Sequence, residues 1–387
     1  MKFSCTQENL NNGLSIVSNI ATRNSNLPIL NNILFKVKDG KIDLSVTNLE
    51  VGVNYFIRGK IETEGSYTLP ARVLSDYISL LPHEKIDLEL KENHLSVKSS
   101  SSKTKIKGID SSEFPLIPQI KKEEPYSCDI NAFIVALQQV SFACSNNETR
   151  PEISGIYMYV NPKEKSLTLV ATDSYRLSEK TIKIESYDTK KEAMSVIIPS
   201  RTVSELARIL NNLKKSSILH HESDAVPENL EIYIAENQIL FHYDNLDLIS
   251  RLIEGQYPDY RQIIPGNFKT EAFVNTQELI NVVKTSSLFA RAGIYDVVLS
   301  FKKDKITVSS VNSQLGENVS DIMTKVTGQE NSVILNYRYL LDGLLNIQSP
   351  EIKIEVTDSN VPCVLRPVLK NEKDEPDYLY LIMPIRQ

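Results

Sequence analysis

The chain has 387 residues, 41% hydrophobic and 24% charged, with a formal net charge of −6. That composition is ordinary for a globular chain of two or three domains, and its acidic balance argues against a protein that grips nucleic acid by charge alone. No apolar run is long enough to span a bilayer. The opening MKFSCTQENL lacks the basic-then-apolar order of a secretory signal. Cys5, Cys128, Cys144 and Cys363 are far apart and form no CxxC pair, which fits a reducing compartment and offers neither a metal knuckle nor a redox couple. A cytoplasmic protein without membrane contact or cofactor is the expectation.

In chain order, Ser4–Ile20 reads as a first helix, with Leu10, Leu14, Val17 and Ile20 on one stripe. Alternating strands follow, with a hairpin signal at Asp39-Gly40. Leu69–Leu81 (LPARVLSDYISLL) is a second helix, with Val73, Leu74, Tyr77, Ile78 and Leu81 on its stripe. Further strands turn at Glu92-Asn93, EFPLIP (Glu113–Pro118) closes the segment, and KKEEP (Lys121–Pro125) is a charged linker. The pattern then repeats. A helix carries Phe133, Ala136, Leu137 and Val140, strands turn at Asn161-Pro162, and a helix runs through Ile198–Leu213 (IPSRTVSELARILNNL). In that helix Ser200 reads as the N-cap, and Val203, Leu206, Ala207, Leu210 and Leu213 as the stripe. After more strands YPDYRQIIP (Tyr257–Pro265) closes the second copy. The third opens on NTQELINVVKTSSLFARAG, carries Leu340, Leu341, Leu344 and Leu345 in the helix Leu335–Ile347, and ends on strands.

Three related helices spaced roughly 130–140 residues apart mark three copies of one domain, with boundaries at residues 1–120, 125–265 and 270–387. Each copy reads helix, strands, helix, strands. Strands joined by hairpins make antiparallel sheets and place the fold in the α+β class. Each of the three helices has an arginine near its start, Arg72, Arg201 and Arg338. Charged positions on the exposed helix faces lean basic: Arg201, Arg208, Lys214 and Lys215 against Glu205, and Lys284 and Arg291 against Glu278. Lysine and arginine at helical spacing can meet phosphates without reading bases, and few such contacts give weak, salt-sensitive binding.

Several phrases, taken in order, resemble one known family. MKFSC, LPIL (Leu27–Leu30), LPAR (Leu69–Arg72), VATDSYRL (Val170–Leu177), YPDYRQIIP and MPIRQ (Met383–Gln387) together are similar to the bacterial DNA polymerase III β subunits, the replicative sliding clamps. The resemblance spans the whole chain. It implies a DNA-clamp fold of three repeated domains, each with two helices packed on antiparallel sheets. Two chains would join head to tail as a homodimer in a closed ring. The function it implies is that of a non-enzymatic processivity factor. Such a ring encircles double-stranded DNA, slides without sequence specificity, and tethers the polymerase III α subunit, the clamp loader and other clamp-binding-motif proteins.

The same resemblance implies a pocket for short peptides. Carried over position by position, its first part falls on Ile153, Thr172, Ser174, Tyr175, Arg176, Leu177, Pro258, Ile263, Leu381 and Met383. Its second part falls on Asn336, Tyr339, Asn360, Pro362, Pro384, Ile385 and Arg386. Ile153, Leu177, Pro258, Ile263 and Met383 would form an apolar well for leucine and aromatic anchors, and methionine adapts to several partners. Arg23, Arg72, Arg150 and Arg201 would meet DNA, and Thr104 and Ile106 of the first domain would meet Leu288 and Phe289 of the third across the dimer contact. Relative to the family's common pattern, Ser174 stands for a glycine, Tyr175 for a histidine and Gln387 for an apolar residue.

Asp173 and the pair His220-His221 invite an enzymatic reading. The chain carries no glycine-rich phosphate loop, GxSxG, HExxH or Cys–His signature to support one, and no third spaced ligand joins the histidines.

Overall fold

The computed structural model describes residues 1–21, 27–147, 149–185, 192–219, 227–369 and 376–386. One order of elements occurs three times: strand, helix, strands, helix, strands. The first copy runs β1 (Lys2–Thr6), α1 (Gln7–Val17), β2 (Asn32–Lys38), β3 (Lys41–Thr47), β4 (Val51–Ile57), β5 (Lys60–Thr63), β6 (Gly65–Pro70), α2 (Ala71–Ser79), β7 (Lys85–Lys91), β8 (His94–Lys98) and β9 (Lys103–Lys107). The second runs β10 (Tyr126–Asp129), α3 (Ile130–Ser141), β11 (Gly155–Asn161), β12 (Ser166–Thr172), β13 (Arg176–Lys183), β14 (Met194–Pro199), α4 (Ser200–Leu219), β15 (Asn229–Ile234), β16 (Gln238–Tyr243) and β17 (Leu246–Arg251). The third runs β18 (Thr270–Asn275), α5 (Thr276–Ser287), β19 (Asp296–Lys302), β20 (Lys305–Asn312), β21 (Gly316–Met323), β22 (Lys325–Gly328), β23 (Asn331–Asn336), α6 (Tyr337–Asn346), β24 (Glu351–Val356), β25 (Cys363–Pro367) and β26 (Tyr378–Ile382).

A strand opens each copy, and in the first it takes Ser4–Thr6, where the periodicity predicts a helix. Lys2–Thr6 pairs with β5 and β7, and α1 begins only at Gln7, with the Thr6 hydroxyl accepting the Asn9 N–H at 3.2 Å. Asn275 caps α5 in the same way. So short a strand holds too few inward residues to stand out from the helical pattern beside it. Ser200 is the first helical residue of α4 rather than its cap.

The helix stripes are mostly buried, with Tyr77, Ala207, Leu213 and Leu341 half-buried and two residues exposed. Leu74, Ile78, Leu81, Val203, Leu206, Leu210, Leu340 and Leu344 lie in the core, whereas Val73 is 56% and Leu345 60% exposed. Both lie at the rim of an apolar stripe, where helical spacing alone does not decide burial.

The sheets group into two compact units. The first comprises Met1–Ile134, Ile184–Thr189 and Arg201–Leu252. It holds a sheet ordered β5-β1-β7-β8-β9 and another ordered β10-β15-β16-β17-β4-β3-β2-β6. The second comprises Val135–Lys183, Lys190–Ser200 and Ile253–Gln387. It holds β14-β11-β12-β13-β26-β25-β24-β18-β22 and β21-β20-β19-β23. The middle copy thus gives its outer strands β10 and β15–β17 to one unit and β11–β14 to the other. Among the described residues every strand pairing is antiparallel, as the hairpin spacing predicts.

Within the first unit, the segment after Glu113 crosses the sheet where β4 meets β17. Phe114 packs with Ile29 and Leu30, and Ile117 and Ile120 lie against Tyr233, Leu240 and Ile249. The strap ends where the Lys122 ammonium donates to Asp247 at 2.8 Å, with His242 Nδ1 2.6 Å from the same carboxylate oxygen.

Candidate functional site

The phrase VATDSYRL folds in the second unit as the end of β12, a tight turn and the start of β13. Thr172 Oγ1 donates to the Arg176 carbonyl at 2.7 Å and accepts the Ser174 N–H at 3.1 Å. Asp173 Oδ1 accepts the N–H groups of Tyr175 and Arg176 at 2.9 and 3.0 Å. Those bonds hold Ser174 at φ 77°, a left-handed conformation that glycine adopts more readily. Asp173, the residue an enzymatic reading would use, is engaged in this turn and with Arg176 Nε at 3.0 Å.

β13 pairs with β26, setting Leu177 opposite Leu381 and Arg176 opposite Ile382. Val364 of β25 lies opposite Leu381 in turn. Ile153, Leu177 and Leu381 form one buried cluster with Val170, Ile197, Tyr257, Tyr260, Val364 and Leu379, against which Met383 packs. Of the residues named through the resemblance, Ile153, Leu177, Leu381 and Met383 lie together in this cluster. The sequence reading misses the aromatic floor, although Tyr257 and Tyr260 stand inside the YPDYR phrase. Tyr157 stacks on Tyr257 with centroids 4.9 Å apart. Burial pushes the Tyr257 hydroxyl far above its ordinary titration range, so the floor is neutral. Pro258 and Ile263 belong to the same segment, with Ile263 exposed.

Arg176 organises the other side. Its side chain is 11% exposed. One terminal nitrogen meets Asp342 at 2.5 Å and the other donates to the Phe142 carbonyl at 2.9 Å. The guanidinium lies 4.7 Å from the Tyr339 ring centroid and 5.5 Å from that of Phe142. Tyr175, 62% exposed, stacks on Tyr339 at 6.3 Å. Asp342 and Phe142 are further residues that sequence reasoning did not find. Asp342 lies three positions after Tyr339 on α6, on the same helix face, which was the available signal.

The tail is tied down: the Met383 N–H donates to the Tyr175 carbonyl and the Ile385 N–H to the Ile334 carbonyl, both at 2.8 Å. Pro384 lies between them, half-buried, and Arg386 beyond them is exposed. Asn336 caps α6 through the Arg338 N–H at 2.9 Å. Asn360 is exposed and Pro362 buried in the turn before β25. At the surface here Tyr175 and Ile263 are exposed and Met383 is half-buried, above the buried apolar cluster and beside the fixed Arg176 guanidinium.

Of the candidate DNA contacts, Arg72 is exposed at the start of α2, 3.7 Å from Asp76, and Arg201 is exposed at the start of α4. Arg150 is exposed and bonds Glu152 Oε1 at 3.2 Å and Ser174 Oγ at 3.1 Å. Arg23 and the pair His220-His221 lie outside the described residues. Arg208 does not present a free charge. It pairs with Glu205 at 2.9 Å and donates to the Ser15 and Ile16 carbonyls at 3.1 and 2.9 Å, closing the last turn of α1. Arg291 is likewise taken by Asp296. Of the dimer-contact candidates, Leu288 is 70% exposed, whereas Ile106 is only 7% exposed within the chain itself.

Among the described residues no group of three or more His, Cys, Asp or Glu side chains could hold a metal ion, and no helix is long and apolar enough to cross a membrane.

Residues 1–118, 128–259 and 261–386 match the family models for the N-terminal, central and C-terminal domains of the DNA polymerase III beta subunit. The beta sliding clamp of Bacillus subtilis (strain 168) is 29% identical, with 100% of both chains covered. That of Staphylococcus epidermidis is 28% identical, covering 100% of this chain and 99% of the other. The crystal structure of the DNA polymerase sliding clamp from Bacillus subtilis superposes with a TM-score of 0.90 at 28% identity, covering 100% and 99% of the two chains. With the repeat, the sheets and these matches in agreement over the full chain, the protein belongs to the bacterial DNA polymerase III beta subunits, the sliding clamps, and is a non-enzymatic processivity factor of DNA replication.

Proposed function

We propose that two copies of the chain close head to tail into a ring around double-stranded DNA, with three domains each at 1–120, 125–265 and 270–387. The observation that carries this reading is a join made twice within one chain. The last strand of one copy pairs with the third strand after the first helix of another: β17 with β4, with Leu248 opposite Val53, and β26 with β13, with Tyr380 opposite Ser178. The strands that would make the third such join are β9 and β21, and each ends the order of its own sheet.

Counted from the hairpin turn before each strand, Leu248 and Val53 correspond most nearly to Thr104 and Asn318, which carries the same register onto β9 and β21. Asn318 would face Thr104, and Glu317 would face Lys105. The Ser286 hydroxyl donates to Asn318 at 2.8 Å, so the end of α5 lies beside this edge, with Leu288 and Phe289 next in sequence. A heterologous contact that closes after two copies gives a ring rather than a filament. Held by topology, such a ring needs only weak phosphate contacts. Arg72, Arg150 and Arg201, together with Arg23, would supply them.

The well on Ile153, Leu177, Leu381 and Met383, lipped by Thr172, Ser174, Tyr175, Arg176, Pro258 and Ile263, would take the anchor side chains of partner peptides. Asn336, Tyr339, Asn360, Pro362, Pro384, Ile385 and Arg386 would extend it. The partners would be the polymerase III α subunit, the clamp loader and other proteins bearing a clamp-binding motif. A cytoplasmic location follows from that work in replication. The test is retention on circular DNA after clamp loading. Protein that stays on a closed circle and is released when the circle is cut is held by topology, and protein lost equally from both is not a ring.

A further inference from the structure

The Arg150 guanidinium ties a candidate DNA contact to the peptide well. Its terminal nitrogen donates to Ser174 Oγ at 3.1 Å while Nε holds Glu152 at 3.2 Å. Ser174 is the strained residue of the turn, at φ 77°. A non-glycine residue in that conformation persists only where its surroundings hold it. The two residues after Ser174 are both part of the well: Tyr175 stacks on Tyr339 and receives the Met383 N–H through its carbonyl, and Arg176 bonds Asp342. On the other side, Arg150 opens the short turn Pro151–Ile153, and Ile153 is part of the buried floor. One exposed guanidinium therefore braces both walls.

We infer that Arg150 couples the two ligands: a DNA phosphate that takes its guanidinium withdraws it from Ser174, loosens the turn and lowers peptide affinity. A phosphate binds arginine through paired charge-assisted bonds and competes well against a neutral hydroxyl. By linkage, bound peptide lowers DNA affinity by the same factor. Ser174 is the element that makes the coupling possible here, since a glycine at this position offers no hydroxyl. Arg150 is a positioning residue for the well. The inference rests on the proposed peptide and DNA roles.

The experiment titrates a labelled Gln-x-x-Leu-Phe peptide, whose leucine and phenylalanine supply the two anchors expected of such ligands, with the full chain, alone and with a saturating short DNA duplex, following anisotropy. DNA binding is read separately with labelled duplex. The peptide Kd is expected to rise about threefold to tenfold with duplex present, the ratio that one hydrogen bond is worth. In Ser174→Ala, and in Ser174→Gly where the backbone strain is also relieved, the peptide Kd is expected to be the same with and without duplex while the duplex still binds. An undiminished DNA effect in both Ser174 variants overturns the inference, as does no effect in the parent when both ligands bind. Failure of the parent to bind peptide at all removes the well reading instead, and the coupling with it.

Discussion

Ile117 occupies the space that a side chain at Gly52 would need: a β-carbon added there would stand 2.7 Å from the Ile117 Cγ2. Gly52 lies on β4 at the pairing with β17, opposite Ile249, and Ile117 belongs to the strap that crosses this sheet. Gly52→Ala is expected to displace the strap and destabilise the protein by about 1–3 kcal/mol, the usual range for overpacking a core. Ile117→Ala in the same chain should return part of that loss. Urea midpoints of the two single variants and the double variant check it, and strictly additive losses would show that the two residues do not compete for the same space.

Arg176→Ala should weaken peptide binding by at least tenfold, and it should cost stability as well. The removed side chain bonds Asp173, Asp342 and the Phe142 carbonyl and lies over Tyr339. Asp342 is about half exposed and water can replace its partner, so the stability loss is set at about 1–2 kcal/mol rather than the larger cost of a sealed pair. Peptide anisotropy and urea denaturation on the same preparation check both parts.

The projected edge pairing makes a charge-swap prediction. Glu317→Lys or Lys105→Glu alone should weaken the dimer, and mixing the two single variants, or combining both changes in one chain, should restore it. Sedimentation velocity at several concentrations reads the outcome. No rescue in either arrangement would move the register. Leu288→Asp should give monomers without loss of fold, because Leu288 is exposed in the single chain and the charge would be buried only in the dimer. Ile106→Asp is the less informative variant, since Ile106 already packs inside its own sheet and its loss would unfold the edge.

The four thiols give a pH prediction. Burial pushes Cys5, Cys128, Cys144 and Cys363 up to about 12 from the ordinary 9.0. Each is therefore a neutral thiol in the fold and becomes a thiolate first in the unfolded chain. Their contribution to stability is complete below pH 9.0 and is lost as the pH rises toward 12. Denaturation midpoints between pH 8 and 11, in reducing buffer, should fall, and Cys363→Ala should flatten part of that fall. Native protein should leave all four unlabelled by a thiol reagent at neutral pH, and denatured protein should label at every one.

Much of this architecture was legible in the sequence because it is periodic and repeated. Leu10, Leu14, Val203, Leu206, Leu340 and Leu344 repeat at helical spacing and are buried, and Asp39-Gly40 and Glu92-Asn93 do turn their strands. The opening strands β1, β10 and β18 were hidden because each runs straight into a helix with no turn residue between. The site was legible only through resemblance. Beyond the helical spacing from Tyr339, nothing in the local pattern places Asp342 on Arg176, which is 166 positions away, or Leu381 beside Leu177. Such contacts come from pairing β26 against β13, and pairing of distant strands leaves little trace in neighbouring residues. The loss of Arg208 to α1 is of the same kind: its charge is visible in sequence, and its partners are not.

The two free edges also decide which wrong assemblies are avoided. β9 reads KTKIK, with Lys103, Lys105 and Lys107 all exposed, and β21 carries Glu317 exposed, with Asp321 paired to Lys305 at 2.7 Å. Two β9 edges meeting each other would bring lysines together, and two β21 edges would bring carboxylates together, so like ends repel. Only unlike ends attract. On the proposed dimer, these two edges would thus be protected from pairing with the same end of a neighbour. On the proposed dimer, rising salt should erode that discrimination while leaving an apolar contact at Leu288 in place.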